Sequence, residues 1–509
     1  MAIPVDVFFL DREADGTLQQ KLQQQIAESI LAGRFLPGER MPSSRSLARH
    51  LGVSRITVTV AYNDLVADDY LIARGRSGYF VSDTAPVSPR FETPRQPAAG
   101  EFDWGRIITP RYAGFRDLER PRNWRNFPYA FIYGQADPGL LDHQNWRLCA
   151  LQALGQKDFG ALIQDQYERD DARLVEYILR HILPRRGIVA APENILITLG
   201  AQNALWMAAE LILSQRRTAA MENPCYPGLR EILHQARCRT VAIDVDDDGL
   251  PPEALPDEVD AVFTTPSHQC PTNATMPLAR RKALLRLSRE RGFVIVEDDY
   301  EFEISFSGGT SPALKSLDEA GSVIYIGSFS KSLFPGLRLG FMVAPPPLIR
   351  EARALRALVL RHPPGHIQRT AAYFLSLGHY DAQINRMRKA YRARRDVMET
   401  AIRDAGLTPA GADVPGGSSF WMRAPAGTDT RALASRLHAH GVLIEPGDVF
   451  FARTPAPTEY YRLAYSSIPP ERIPEGIALI AEALGVSGPT RARDLALTER
   501  GASRVSERQ

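Results

Sequence analysis

The sequence predicts two α/β units of unequal size joined by a linker: a small N-terminal helix-turn-helix closed by a hairpin, and a large unit built on a mainly parallel sheet. Three observations predict it. Apolar residues recur at helical spacing over 18–34 and again over 44–71, and then alternate at strand spacing. Residues 83–127 open with DTAPVSPRFETPRQPAAGEF, rich in Pro and Ala and without an apolar period. From about Tyr129 to Leu484, helical patterns alternate with short apolar runs such as NILITLG, AVFTTP, FVIVEDD and VIYIGS. At 509 residues, with 44% hydrophobic and 24% charged, the chain is too long for one ordinary domain and has the composition of a folded protein.

The elements follow in order. After an N-terminal arm, 1–17, Leu18, Leu22, Ile26, Ile30 and Leu31 mark one face of a first helix, which Gly33 stops. The string SRSLARHLGVSRITVTVAYNDLVADDYL splits into two helices at the Gly52-Val53 turn, with Ser54 as N-cap of the second. LIARGRSGYFV is a hairpin around Gly75 and Gly78 and ends the first domain, 18–82. The large domain covers 128–485. Its strands end in small or polar residues, where open α/β sheets place their ligands. The polar tail, 486–509, is expected to be mobile.

The net charge of +2 points to no nucleic acid by itself, so a DNA-binding reading rests on a local patch. Between Arg34 and Phe80 seven arginines face four acids, a surplus of three. The four cysteines show neither a C-x-x-C pair nor a zinc-ligand spacing, so no metal site is expected. The N-terminus lacks a basic segment leading into a long apolar one, and no apolar run is long enough to span a bilayer, which leads us to expect a cytoplasmic protein without membrane contact.

A helix-turn-helix lays its second helix in the major groove with its first turn on base edges. That turn offers Ser54, Arg55, Thr57 and Thr59, while Arg45 on the preceding helix and Arg74 beside Gly75 can neutralise backbone phosphates. The alternative, a merely solvated basic face, is countered by the string itself. MPSSRSLARHLGVSRITVTVAYNDLVADDYLIARGRSGYFV resembles the winged helix-turn-helix of GntR-family bacterial regulators over about 65 residues. The resemblance implies that Arg45, Arg55, Thr57, Arg74 and Gly75 sit where members touch double-stranded DNA; some members carry an arginine at the position of Thr59.

In the large unit GSFSKSLFPGLRLG, residues 327–340, supplies a lysine, two serines just before it and an arginine seven positions after it, following an apolar strand. Pyridoxal phosphate (PLP) needs an amine for a Schiff base, and hydroxyls with a guanidinium for its phosphate. Lys331 is the Schiff-base candidate, with Ser328, Ser330 and Arg338 on phosphate. A surface lysine would be the ordinary reading of such a loop, and a nucleotide P-loop would need Gly-Lys-Ser or Gly-Lys-Thr, which is missing. Its company favours the cofactor. VIVEDDY offers Asp298, with Asp299 as the alternative, to a pyridine nitrogen, and Tyr300 to the phenolic oxygen. Gly200, Ala201 and Gln202 open a helix whose free N–H groups suit a phosphate, Tyr226 can stack on a planar ring, and His268 stands beside Gln269 at another strand end.

Together these motifs resemble fold-type I PLP enzymes of the class I aminotransferase group over roughly 350 residues, and imply Lys331 as the cofactor lysine with the partners just named. Arg462 in YYRLAYSSI matches the arginine that binds the substrate carboxylate in such enzymes. Where the group usually has an asparagine, this chain reads His268, Gln269 or Cys270 before Pro271-Thr272-Asn273.

A winged helix followed by an aminotransferase-like domain resembles the MocR subfamily of GntR regulators. This implies a PLP-dependent transcriptional regulator that senses a small amino-acid-like effector through external aldimine formation, and a head-to-tail homodimer. The competing class is an aminotransferase carrying an accessory domain, since turnover needs the same lysine. FDWGRIITP, YGQADPGLLDHQNWR and LRHPPGH resemble the branch controlling ectoine and hydroxyectoine breakdown, with regulators of taurine, γ-aminobutyrate or PLP synthesis as rivals.

Overall fold

The computed structural model describes residues 2–10, 15–86, 103–108, 120–135, 137–304, 312–411 and 416–486. The tail expected at 486–509 lies outside them beyond Val486, as does part of the linker. The chain divides into two compact units, Met1–Pro110 and Arg111–Gln509.

In the first unit, α1 (Leu18–Leu31) starts at Thr17, whose side chain and that of Gln20 form a capping box. It is followed by α2 (Ser44–Leu51) and α3 (Arg55–Ala67), and by the antiparallel pair β1 (Leu71–Ala73) and β2 (Tyr79–Val81). Gly52 closes α2 at φ 65°, a left-handed conformation that favours glycine and lets α3 turn back over α2. Leu22, Ile26, Leu47, Val58, Tyr62, Leu65 and Val81 form one buried core. Each is the inward residue of its element's period, so this small unit has its own apolar centre.

The second unit opens with a short strand, β3 (Tyr129–Ala130), and with α4 (His143–Ala153), α5 (Gln156–Leu162) and α6 (Ala172–Tyr177). Its centre is a seven-stranded sheet made of β4 (Ile195–Thr198), β5 (Thr218–Asn223), β6 (Arg239–Asp244), β7 (Ala261–Thr264), β8 (Val294–Asp299), β9 (Val323–Ser328) and β10 (Gly340–Val343). The strand order is β4-β10-β9-β8-β7-β5-β6, parallel throughout except for β10, which runs against both neighbours. Two helices at strand ends, α7 (Ala201–Ile212) after β4 and α8 (Pro227–Gln235) after β5, pack on this sheet. Strands β4, β7 and β9 are buried on both faces, which explains why they read as apolar runs.

A smaller sheet follows, of β11 (Thr408–Pro409), β12 (Ser419–Arg423), β14 (Glu445–Pro446) and β15 (Tyr460–Ala464), with β13 (Val442–Leu443) paired instead to β3. Among the described residues no helix is long and apolar enough to cross a membrane. The fold is a winged helix-turn-helix and a fold-type I aminotransferase-like domain, as the sequence predicts.

Candidate functional site

The parallel strands end around a cavity of about 300 Å³ whose wall includes Lys331, Asp298, Tyr300, Tyr226 and Arg462. Lys331 follows β9 in the turn leading to β10. Its Nζ lies 4.0 Å from the centroid of the Tyr133 ring and packs against Gly134, where a β-carbon would collide with it. Burial, reinforced by Arg462 and Arg120, lowers the lysine pKa to about 8, while Glu301 pulls the other way. The neutral, nucleophilic amine is therefore a minor form near neutrality but far more populated than for an ordinary lysine.

Successive side chains of a strand point to opposite faces, so β8 can offer only one of its adjacent aspartates to the cavity. Asp298 is that one. Its Oδ1 is buried without a hydrogen bond, and burial, together with the nearby Asp299 and Glu222, raises its pKa to about 8. Asp299 faces the other way, bound at 2.7 Å to buried Arg186 and at 2.9 Å to the Tyr325 hydroxyl. A buried carboxyl without a partner needs a positively charged donor, and a protonated pyridine ring is one. Tyr300 donates to the backbone carbonyl of His268 at 3.0 Å.

At the other end, Ser328 Oγ accepts from the backbone N–H of Ser330, while Ser330 Oγ is buried and unpaired. Gly200, at φ +84°, starts α7, and a β-carbon there would stand 3.1 Å from Arg338 Nη2. Arg338 is exposed and donates to Leu199 O at 3.3 Å. The first N–H groups of α7, at Ala201 and Gln202, have no partner within the helix. Hydroxyls, helix N-terminus and guanidinium thus line the same cavity, and the residues present fit pyridoxal phosphate.

Arg462, on β15, is buried and donates through Nε to Glu445 Oε2 at 2.8 Å. Its guanidinium also lies 4.0 Å from the Tyr133 ring centroid, so one ring carries both Lys331 and Arg462. Arg120 stands 3.6 Å from Glu445 Oε1 and lines the same cavity, although its segment reads as linker in the sequence.

Among the expected cofactor ligands Gly200 is not itself on the cavity wall, and neither is His268. Its ring sits beside Gly416, and burial lowers its pKa to about 4, which keeps it neutral; only its backbone carbonyl reaches Tyr300. Gln269 is also withdrawn, donating to Glu222 and to the Pro224 carbonyl, and the residue of this loop that lines the cavity is Cys270. Tyr133 and Gly134 open the string YGQADPGLLDHQNWR, which by itself assigns them no role at the site, and Arg120 and Glu445 belong to no motif. Tertiary packing brings the three segments together.

In the first unit, Arg45, Ser54, Arg55, Arg74 and Gly75 are exposed, and Thr57 is half-buried. Ser54 caps α3, accepting from the Thr57 N–H at 3.0 Å, and Arg55 donates to Ser44 Oγ at 3.3 Å. Arg74 lies 5.0 Å over the Phe80 ring and 3.6 Å from Asp83. The Thr59 hydroxyl donates to Arg55 O at 2.9 Å, one turn back along α3.

The model of the gntR family of bacterial regulatory proteins matches residues 18–81, and that of class I and II aminotransferases matches 167–480. The HTH-type transcriptional regulator TauR of Rhodobacter capsulatus is 59% identical over 95% of this chain and 100% of its own. The probable rhizopine catabolism regulatory protein MocR of Rhizobium meliloti is 31% identical, over 92% of this chain and 94% of its own. Among solved structures, LysN, an α-aminoadipate aminotransferase of Thermus thermophilus complexed with N-(5'-phosphopyridoxyl)-L-leucine, superposes with a TM-score of 0.67 at 28% identity, covering 75% of this chain and 98% of its own. The cofactor of this fold is pyridoxal phosphate. The chain belongs to the MocR subfamily of GntR-type transcriptional regulators, in which a DNA-binding winged helix-turn-helix is fused to an aminotransferase-like PLP domain.

Proposed function

We propose that the large unit senses a small, acid-bearing primary amine by letting it take the place of Lys331 at PLP, and that the small unit turns this event into a change at promoter DNA. Bound PLP supplies an aldehyde that takes one amine at a time, next to an electron-withdrawing ring. The residues of this chain do the rest. Lys331 would hold the aldehyde, Asp298 would keep a proton on the ring nitrogen, Tyr300 would serve the phenolic oxygen, Tyr226 would cover the ring, and Ser328, Ser330, Arg338 and the start of α7 would hold the phosphate.

The observation that carries this reading is the shared Tyr133 ring. Lys331 Nζ and the Arg462 guanidinium each lie 4.0 Å from its centroid, which limits the distance between them to twice that length. An effector whose amine replaces Lys331 and whose acid reaches Arg462 is therefore short. Arg462 and Arg120 against Glu445 leave one net positive charge, suited to a single acid group. The 59% identity to TauR, whose name points to taurine, makes an aminosulfonate the first candidate, ahead of the diaminobutyrate derivative expected of an ectoine branch.

For the small unit, Arg45, Arg55, Thr57, Arg74 and Gly75 form the DNA-facing surface. A head-to-tail homodimer fits the exposed apolar residues Leu148, Leu151, Leu154, Phe159 and Ile163, which are clustered in sequence around α4 and α5. Residual aminotransferase turnover is the second reading, favoured by the lowered pKa of Lys331, which makes it a competent base. The purified protein should show the near-visible absorption of lysine-bound PLP. Lys331→Ala should abolish that band, and an unchanged spectrum would refute the assignment.

A further inference from the structure

Lys331 lines not one cavity but two. Behind it lies a second, much smaller space of about 10 Å³, room for one water-sized group, walled by Glu301, Ser418, Ser466 and Tyr391. Glu301 is only 2% exposed. Its Oε1 accepts a 2.6 Å hydrogen bond from Ser418 Oγ, while its Oε2 and the neighbouring Tyr133 hydroxyl are both buried without a well-formed hydrogen bond; burial raises the carboxyl pKa, and Lys331, Ser418 and Tyr133 each favour its charged form. Ser466 Oγ, on the same wall, is likewise buried and unpaired. Buried acceptors are rarely left without donors, and a buried carboxylate calls for a cation.

We propose that this rear cavity is the receiving site for the Lys331 amine once an effector has displaced it, with Glu301 as its counter-charge. The proposal rests on the reading that Lys331 is the displaced amine. The exchange balances: one carbon–nitrogen bond to Lys331 breaks, one to the effector forms, the effector enters as an ammonium, and Lys331 leaves as one. The rear cavity then accepts that ammonium, whose three N–H donors meet Glu301 Oε2 and Ser466 Oγ. An ammonium has no lone pair with which to abstract a proton. Docked there, Lys331 leaves the carbon skeleton of the effector untouched, and the site senses instead of reacting. Glu301 is a positioning residue in this scheme, since it acts through Lys331.

Hydroxylamine tests this without knowledge of the effector, because it takes the PLP aldehyde and frees the lysine in any case. Full-length PLP-loaded protein would be treated with hydroxylamine until the lysine-bound band is gone. The reactivity of Lys331 toward acetic anhydride would then be followed against pH by mass spectrometry of its peptide. In Glu301→Gln, Lys331 should be acetylated about tenfold faster at neutral pH than in the unsubstituted protein, the equivalent of roughly one pKa unit. Glu301→Asp should restore part of the protection, and Ser418→Ala should lose part of it. Equal labelling with the same pH midpoint in all four proteins overturns the receiving site. A band that resists hydroxylamine overturns the Lys331 assignment itself, and this proposal with it.

Discussion

Asp298 and Asp299 show what a single residue's surroundings decide. The sequence places a carboxylate pair at a strand end and leaves either free to meet the ring nitrogen. Strand alternation sends Asp299 to Arg186 and leaves Asp298 at the cavity with an unpaired oxygen. That vacancy has a pH signature in the cofactor-free protein. The folded-state pKa of Asp298 is raised from 3.8 to about 8, so between these values the folded chain holds a proton that the unfolded chain has lost. Its stabilising contribution is complete at the acid end and is lost as pH rises towards 8. Lys331, lowered from 10.5 to about 8, acts only above that window. Asp298→Asn should therefore flatten the fall in Tm of the cofactor-free protein between pH 5 and 8, and should weaken PLP retention. A slope unchanged by the substitution would show that the carboxyl is not held protonated by its site. Lys331, Ser328, Ser330 and Arg338 are legible in sequence because they belong to one short segment. Arg120, Tyr133 and Glu445 are not, because they join the site through tertiary contacts, such as Arg120 with Glu445 and Tyr133 with Arg462, that bridge distant segments of the chain.

At the scale of elements, the strands, the hairpin and the helix-turn-helix follow the apolar periods closely. Departures come where side chains serve the backbone. Ser54 and Thr57, expected on DNA, are also engaged in capping α3, and Thr59 bonds back to Arg55 O. Ser54→Ala should cost the small unit about 1 kcal/mol, read by thermal or urea unfolding, whatever its effect on DNA. Arg55→Ala removes an exposed guanidinium without touching the core, so it should abolish specific promoter binding in a footprint while the PLP absorption stays intact. Retained footprinting would contradict the assignment of α3 as recognition helix. The start of α7 offers a matching test in the large unit. Gly200→Ala places a β-carbon 3.1 Å from Arg338 Nη2 at a φ of +84°, so PLP affinity should fall roughly tenfold or more, with DNA-domain stability unaffected.

For the whole molecule, the function lies in the fusion of two units that are each intelligible alone. The cavity chemistry of Lys331, Asp298 and Tyr300 serves an aminotransferase as well as a sensor, and the winged helix-turn-helix alone would say nothing about an amine. Sequence patterns identify both halves and their order. The effector escapes them because its recognition depends on Arg462, Arg120, Glu445 and Tyr133, which three-dimensional packing brings together from separate segments. The central claim, that an amine arriving at Lys331 is reported to DNA rather than consumed, is tested most directly by one paired titration. Taurine, γ-aminobutyrate and diaminobutyrate would be added in turn to the PLP-loaded protein on its promoter fragment, with absorption and footprint followed together, in the unsubstituted protein and in Lys331→Ala. One of these amines should shift the absorption and the footprint over the same concentration range, without accumulating carbonyl product, and the footprint change should vanish in Lys331→Ala. Steady release of carbonyl product with an unchanged footprint would contradict the account.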